Sequence, residues 1–256
     1  QFGGFWWRII RINGDGSIRM IYQGTSANET GSGTQIQTSA FNSSSNNNMY
    51  VGYMYQGGQL HGLRQSSTIK RILDNWYMNN IENEEKNLHY GQYIDGNAGF
   101  CGDRRTSSGT GTGTSITDYQ PFTRINNSSP SLTCQTEDIY TTSGSSTGNK
   151  ALTQPIGLIS ADEAMFAGIP KWNNSGNTNN YLYTGQHYWT MSPFYYYYGA
   201  ASVFYVNSSG YLDGALYDNY SVAWADPGVR PVINLKSAIA ITGSGSKTDP
   251  FKLSVE

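Results

Sequence analysis

The chain has 256 residues and a formal net charge of −2, and charged residues make up only 13% of it, against about 25% in a typical soluble domain. Without a basic excess the surface excludes nucleic acid as the main partner, because phosphate binding needs clustered Lys and Arg. No run of about 20 apolar residues is present, so no segment predicts a membrane-spanning helix or membrane insertion. Composition does not shift along the chain as it would at a linker, which predicts a single domain over 1–256 with long loops. Gln1 is not an initiator methionine and no signal peptide follows it. The expectation is a processed chain whose targeting or anchoring segment lies upstream.

Phe5-Trp6-Trp7-Arg8-Ile9-Ile10-Arg11-Ile12 is aromatic and β-branched and predicts a strand. Asn13-Gly14-Asp15-Gly16 is a hairpin turn signal, with 18–22 as the return strand. Residues 25–48 read as a polar loop and 50–55 as another strand. Ser66-Ser67-Thr68 caps the clearest helix, in which Ile69, Ile72, Leu73 and Trp76 form one apolar stripe; Asn79-Asn80 can end it. Glu82, Glu84 and Glu85 read as a solvated acidic segment, with a cation site as the alternative. Residues 106–117 and 141–149 are Ser, Gly and Thr loops, and 121–134 reads as irregular.

Residues 156–159 predict a short buried strand. Ser160-Ala161-Asp162-Glu163 is a capping box that opens a second helix, which stops at Gly168 before Pro170. Capping and the helix dipole account for Asp162 and Glu163 without a catalytic role. The last third predicts strands at 188–191, 202–206, 229–235 and 239–242, with a turn at 207–210. Two helices among short antiparallel strands and long loops give an α+β class. Cys101 and Cys134 read as one disulfide, about 3–4 kcal/mol by chain entropy, or as two buried free thiols. His61, His89 and His187 show no metal spacing, and no Gly-x-Ser-x-Gly elbow occurs. Gln154-Pro155-Ile156 and Trp172-Asn173-Asn174 only partly echo the motifs of calcium-dependent sugar sites, so the reading carries no metal and no cofactor.

About half of the 20 tyrosines lie between positions 181 and 220. Tyrosine offers a large amphipathic contact area with two torsions to freeze, and it is enriched in binding loops and hot spots. Tyr195, Tyr196, Tyr197 and Tyr198 are consecutive, whereas a strand buried on both faces prefers Val, Ile and Leu. They are read as binding surface rather than core. As a strand they would bury two rings and expose two; as a loop they could expose all four. Trp224 is a candidate central anchor. Trp6, Trp7, Trp76 and Trp189 read as core, and Arg230 as a cation satisfying buried carbonyls.

The order of motifs is familiar. It runs from Trp7-Arg8-Ile9-Ile10-Arg11-Ile12-Asn13-Gly14 through Leu73-Asp74-Asn75-Trp76-Tyr77, Phe100-Cys101-Gly102-Asp103-Arg104 and Pro155-Ile156-Gly157-Leu158-Ile159. It ends with Tyr188-Trp189-Thr190-Met191-Ser192-Pro193 and Gly228-Val229-Arg230-Pro231-Val232-Ile233-Asn234-Leu235. The chain resembles bacterial surface proteins of gut Firmicutes, which often carry a prepilin-type leader. Its C-terminal layout, with Gly228-Val229-Arg230 on a late strand, resembles the variable proteins of diversity-generating retroelements. The resemblance implies a C-type-lectin-like fold of the formylglycine-generating-enzyme type.

In those systems template adenines are randomised, and an Asn codon can become Tyr, Ser, Asp, Gly, Ala, Val or Phe. Segment 194–226 fits that chemistry, with Val203, Val206, Gly210 and Leu212 as framework between varied positions. The resemblance implies a hypervariable face of Phe194, Tyr195, Tyr196, Tyr197, Tyr198, Tyr205, Tyr211, Asp213, Tyr217, Asp218, Asn219, Tyr220, Trp224 and Asp226. That face would bind a protein or glycan on another cell or surface without chemistry. The enzymes of this fold use a cysteine pair and copper; here no cysteine follows Cys134, which argues against that activity. The expected setting is extracellular, on a cell surface, pilus or phage virion. The alternative is a fixed pilin-like adhesin or structural subunit that assembles through an upstream segment.

Overall fold

The computed structural model describes residues 1–172, 174–214 and 221–254. In chain order its principal elements begin with β1 (Trp6–Ile12), β2 (Ile18–Gly24), β3 (Gln37–Thr38) and α1 (Thr68–Asn80). Next come β4 (Thr106–Ser108), β5 (Thr117–Tyr119), α2 (Gln120–Asn126) and α3 (Ala161–Phe166). The last part holds β6 (Tyr188–Tyr197), β7 (Ala200–Val206), β8 (Leu212–Gly214), β9 (Gly228–Val229), β10 (Val232–Leu235), β11 (Ile241–Thr242) and β12 (Lys252–Leu253). Mixed α and β with strands predominant agrees with the α+β class.

β1 and β2 close the predicted hairpin, Ile12 opposite Ile18, and the Asp15 carboxylate accepts from the Ser17 amide and hydroxyl at 2.9 and 2.6 Å. β10 returns from the far end of the chain to pair with the other edge of β2, Leu235 opposite Ile18. The resulting sheet has the order β1-β2-β10. α1 packs on it through Trp76, whose ring lies 5.2 Å from Phe5, 5.7 Å from Tyr22 and 6.2 Å from Trp7. Ser67 caps α1 by accepting from the Lys70 amide, and Ile69, Leu73 and Tyr77 are its buried apolar positions. Spacing of four puts those three on one helical face.

The larger sheet runs β8-β7-β6-β5-β4, with β9 joining β6 to β3. Its centre is the long hairpin β6–β7. β6 passes through Pro193, which a central strand tolerates only where the ladder breaks; the register shifts on both sides of that residue. The sheets meet where Arg230 is buried. Its guanidinium donates to the carbonyls of Tyr22, Thr34 and Leu182 and lies 4.6 Å above the Tyr188 ring. Supplying carbonyls with donors is the role read for it from sequence.

α3 opens with the full capping box between Ser160 and Glu163. Glu163 also ties the helix to the first sheet. Its Oε1 lies 3.1 Å from Arg11 Nε and 2.5 Å from Arg19 Nε, the latter off the hydrogen-bond line, while Arg19 Nη2 donates to Oε2 at 3.2 Å. Burial works to raise this carboxyl, but the two guanidinium groups outweigh it and hold it below the ordinary value. Asp162 accepts two bonds of 2.8 Å from Arg124 on α2. Both acids are thus spent on holding α3 in place. Cys101 and Cys134 form a disulfide, which spans the segment carrying β4, β5 and α2.

Several sequence expectations are corrected. There are three described α-helices, not two: α2 has no side-chain cap and begins with Pro121 in its first turn, a position where the missing N–H costs nothing. Residues 106–117 are not all loop, because β4 lies within that range and β5 begins at its last residue, and both extend the large sheet. β3, inside the predicted loop 25–48, pairs with β9. Residues 48–51 form a 3-10 turn, leaving only Met54–Tyr55 as strand. Residues 156–159 are buried as expected, yet make one bridge, Gly157 to Val232, rather than a strand. The predicted strand 229–235 is broken at Arg230-Pro231 into β9 and β10. No described helix is long and apolar enough to cross a membrane.

Candidate functional site

The tyrosine run of β6 is mostly core. Phe194, Tyr195 and Tyr196 are 3%, 7% and 2% exposed, whereas Tyr197 is 40% and Tyr198 79% exposed. The expectation that these residues form one binding surface is therefore corrected for Phe194, Tyr195 and Tyr196. The reason is that both faces of the hairpin are covered. On one, Phe194 packs at 4.9 Å from Phe122 of α2, 5.6 Å from Trp172 and 4.7 Å from Phe204. On the other, segment 41–48 lies across the hairpin: the Ala201 amide donates to Ser45 O, and the Tyr196 hydroxyl donates to Asn46 O at 3.0 Å. A buried tyrosine is stable where its hydroxyl finds such a partner.

The run reaches solvent only at the turn. Tyr197 pairs with Ala200, and the two residues between them, Tyr198 and Gly199, have φ of 47° and 81°. Positive φ at both central positions is the turn that matches strand twist, and Asn, Asp or Gly normally fills it. A tyrosine in the left-handed region costs about 1 kcal/mol or more. Its ring stands at 83° to that of Tyr197, 4.3 Å away.

A second group of predicted residues assembles at the other end of the hairpin. Nine residue steps along β6, roughly 25–30 Å of extended chain, separate Tyr197 from Tyr188. Here His187, just before β6, meets Tyr205 of β7 and Trp224 on the return to β9. Ring centroids are 5.6 Å apart for His187–Tyr205, 5.0 Å for His187–Trp224 and 5.3 Å for Tyr205–Trp224. Trp189 closes the cluster from below, 6.1 Å from Trp224. Tyr205 is buried, so it supports the face rather than presenting its ring, a correction to its reading as a contact residue. Trp224, Tyr211, Asp213 and His187 are half-buried, and Asp226 is exposed.

Asp213 is held firmly: its Oδ2 accepts from the Tyr205 hydroxyl at 3.1 Å and its Oδ1 from the Gly214 amide at 2.9 Å. Burial raises its carboxyl above the ordinary range, although these donors and His187 pull the other way. Burial likewise pushes up the hydroxyls of Tyr205 and Tyr211, with the Asp213 charge adding to both. His187 Nδ1 accepts from the Ser208 amide at 3.2 Å, which fixes the neutral ring with its proton on Nε2. Burial holds its pKa below the usual value, against the opposing pull of Asp213 and Asp226. Neither acid is in an ion pair among the described residues.

The sequence contains no Lys or Arg from 172 to 229, so the patch is aromatic and acidic. Its chemistry is that of contact: ring faces, a Nε2–H donor and carboxylate acceptors. The sequence alone does not mark His187, because its partners come from two distant stretches of chain; its place immediately before Tyr188-Trp189 is the available signal.

The remaining candidates, Tyr217, Asp218, Asn219 and Tyr220, lie outside the described residues, as does Asn173 of the partial sugar-site echo. Among the described residues no three His, Cys, Asp or Glu side chains are grouped to hold a metal. The chain matches no family model, no curated protein and no solved structure.

Proposed function

We propose that the chain is a ligand-binding domain of an extracellular surface, and that the patch of His187, Tyr211, Asp213, Trp224 and Asp226 is its binding face. The observation that carries this reading is the convergence of three chain stretches on one partly exposed aromatic and acidic cluster in which His187 and Asp213 are already fixed by hydrogen bonds. A face that is preorganised loses little entropy on binding. A half-buried tryptophan resting on other rings is the usual form of an interface anchor. The ligand is a protein or glycan of another surface.

The fold reading is a C-type-lectin-like domain; the return of the late strand β10 to pair beside β2, next to the first strand β1, supports it. The disulfide is compatible with an oxidising, extracellular setting. Diversification by a retroelement, on this reading, would act on the codons of 194–226. Sequencing the locus across sister cells tests that part: variation confined to those codons, beside an adenine-rich template copy and a reverse transcriptase, is expected. An invariant locus overturns it.

The binding face is tested with arrayed glycans and arrayed surface proteins. Each ligand retained by the wild-type domain should be lost by Trp224→Ala and weakened at least tenfold by Asp226→Asn, with thermal unfolding of the second variant unchanged. Ligand retention by both variants sinks the assignment. A second reading, a pilin-like structural subunit, is favoured by the hairpin tip, where Tyr197 and Tyr198 are exposed side by side. It expects Tyr198→Ala to abolish assembly while binding at the patch survives.

A further inference from the structure

A groove of about 400 Å³ runs between the outer face of the three-stranded sheet and the hairpin β11–β12. Its size is that of small-molecule sites, about 300–1,000 Å³. Trp6, Ile9, Ile18, Met20, Phe251 and Leu253 give it apolar walls. Apolar side chains at its mouth are left in solvent: Ile9, Ile12, Ile241 and Phe251 are 42%, 69%, 41% and 37% exposed. The charged residues lining it are Arg8, Lys247 and Lys252, and no Asp or Glu joins them. Arg8 is half-buried, its Nε is shut off from solvent without a hydrogen-bond partner, and its guanidinium makes no ion pair among the described residues. Desolvating a cation without a partner is costly. By contrast Arg19, Arg104, Arg124 and Arg230 all donate to oxygens within the fold.

We propose that the groove is a binding site for an amphipathic monoanion, a free aliphatic carboxylate whose chain lies along Trp6, Ile18 and Phe251 and whose head group pairs with Arg8. Guanidinium and carboxylate match in a two-bond geometry that a lysine cannot reproduce. Lys247 and Lys252 add positive charge at the rim. The groove suits a ligand with one charged end, because its walls are mainly apolar and its charged side chains are all cations, with Gln1, Gln23 and Ser246 as the uncharged polar exceptions.

The test is calorimetric titration of the intact domain with decanoate, octanoate and 1-decanol, and with vesicles of phosphatidylglycerol. Decanoate should bind one to one and raise the Tm. Octanoate should bind about tenfold more weakly, from two methylenes lost. Arg8→Met should weaken decanoate at least tenfold and leave 1-decanol unchanged. Because it removes an unpaired cation, the same variant should unfold no earlier than wild type without ligand, an outcome a merely structural Arg8 would not give. Absence of decanoate binding, equal affinity for 1-decanol, or an unaltered Arg8→Met isotherm overturns the proposal. Arg8-dependent binding to vesicles without binding to decanoate overturns the free-acid assignment in favour of a lipid head group.

Discussion

The two ends of the β6–β7 hairpin use the same residue type for opposite purposes. At the turn, Tyr198 is exposed and held at a positive φ that suits asparagine or glycine better. At the open end, Tyr205 is buried and its hydroxyl is committed to Asp213. Between them, Phe194, Tyr195 and Tyr196 are core. Chemical identity therefore says less about a tyrosine's role than its distance from the covered middle of the strand. The turn gives up stability for exposure, and the open end ties its polar side chains Tyr205, Asp213 and His187 into hydrogen bonds.

The middle of the hairpin sets the scale against which both ends are judged. Phe194→Ala should cost about 3–5 kcal/mol, the range for a large buried aromatic; urea unfolding that shows less than 1 kcal/mol would mean the middle is not core. The open end should show itself through pH. Asp213 has a folded pKa raised above its unfolded value, so its stabilising contribution is complete below the unfolded pKa and is lost as pH rises through the folded one. His187 has a folded pKa below its unfolded value, so its contribution is present above the unfolded pKa and lost as pH falls through the folded one. Stability measured against pH should flatten on the acid-side slope in His187→Gln and lose its decline above the carboxylate range in Asp213→Asn. Profiles that overlay wild type would show that neither group senses folding. The smallest effect has the opposite sign: Tyr198→Asn should stabilise by about 0.5–1 kcal/mol. A lower Tm in that variant would mean that the Tyr198 ring contributes to the fold rather than to contact.

Local chemistry was legible where it is decided locally. The capping box of α3, the cap and stripe of α1, the β1–β2 turn and the cystine all follow from neighbouring residues or from composition. Arg230 as a donor to buried carbonyls was also readable. The burial of Tyr195 and Tyr196 was not, because it depends on segment 41–48 and α2 crossing the hairpin from far away in the chain. The same holds for β3, β4 and β5, whose Ser, Thr and Gln residues carry no strand periodicity and are extended only because a neighbouring strand offers them an edge. α2 carries no such signal, because its cap position is Tyr119, which makes no side-chain capping bond. The candidate face read as one segment is two places, since a ten-residue strand carries its ends far apart.

The arrangement of β1 and β10 on either side of β2 also has a mechanical meaning. Both run antiparallel to β2, and the chain enters β1 opposite Gly24 but leaves β10 opposite Ile18, the other end of the same strand. Tension applied to the segments entering β1 and leaving β10 therefore pulls the two outer strands in opposite directions along the central one. That is shear, in which the hydrogen bonds of both ladders share the load, rather than peeling, in which they fail singly. The ladders of the long hairpin and its aromatic patch lie off this path.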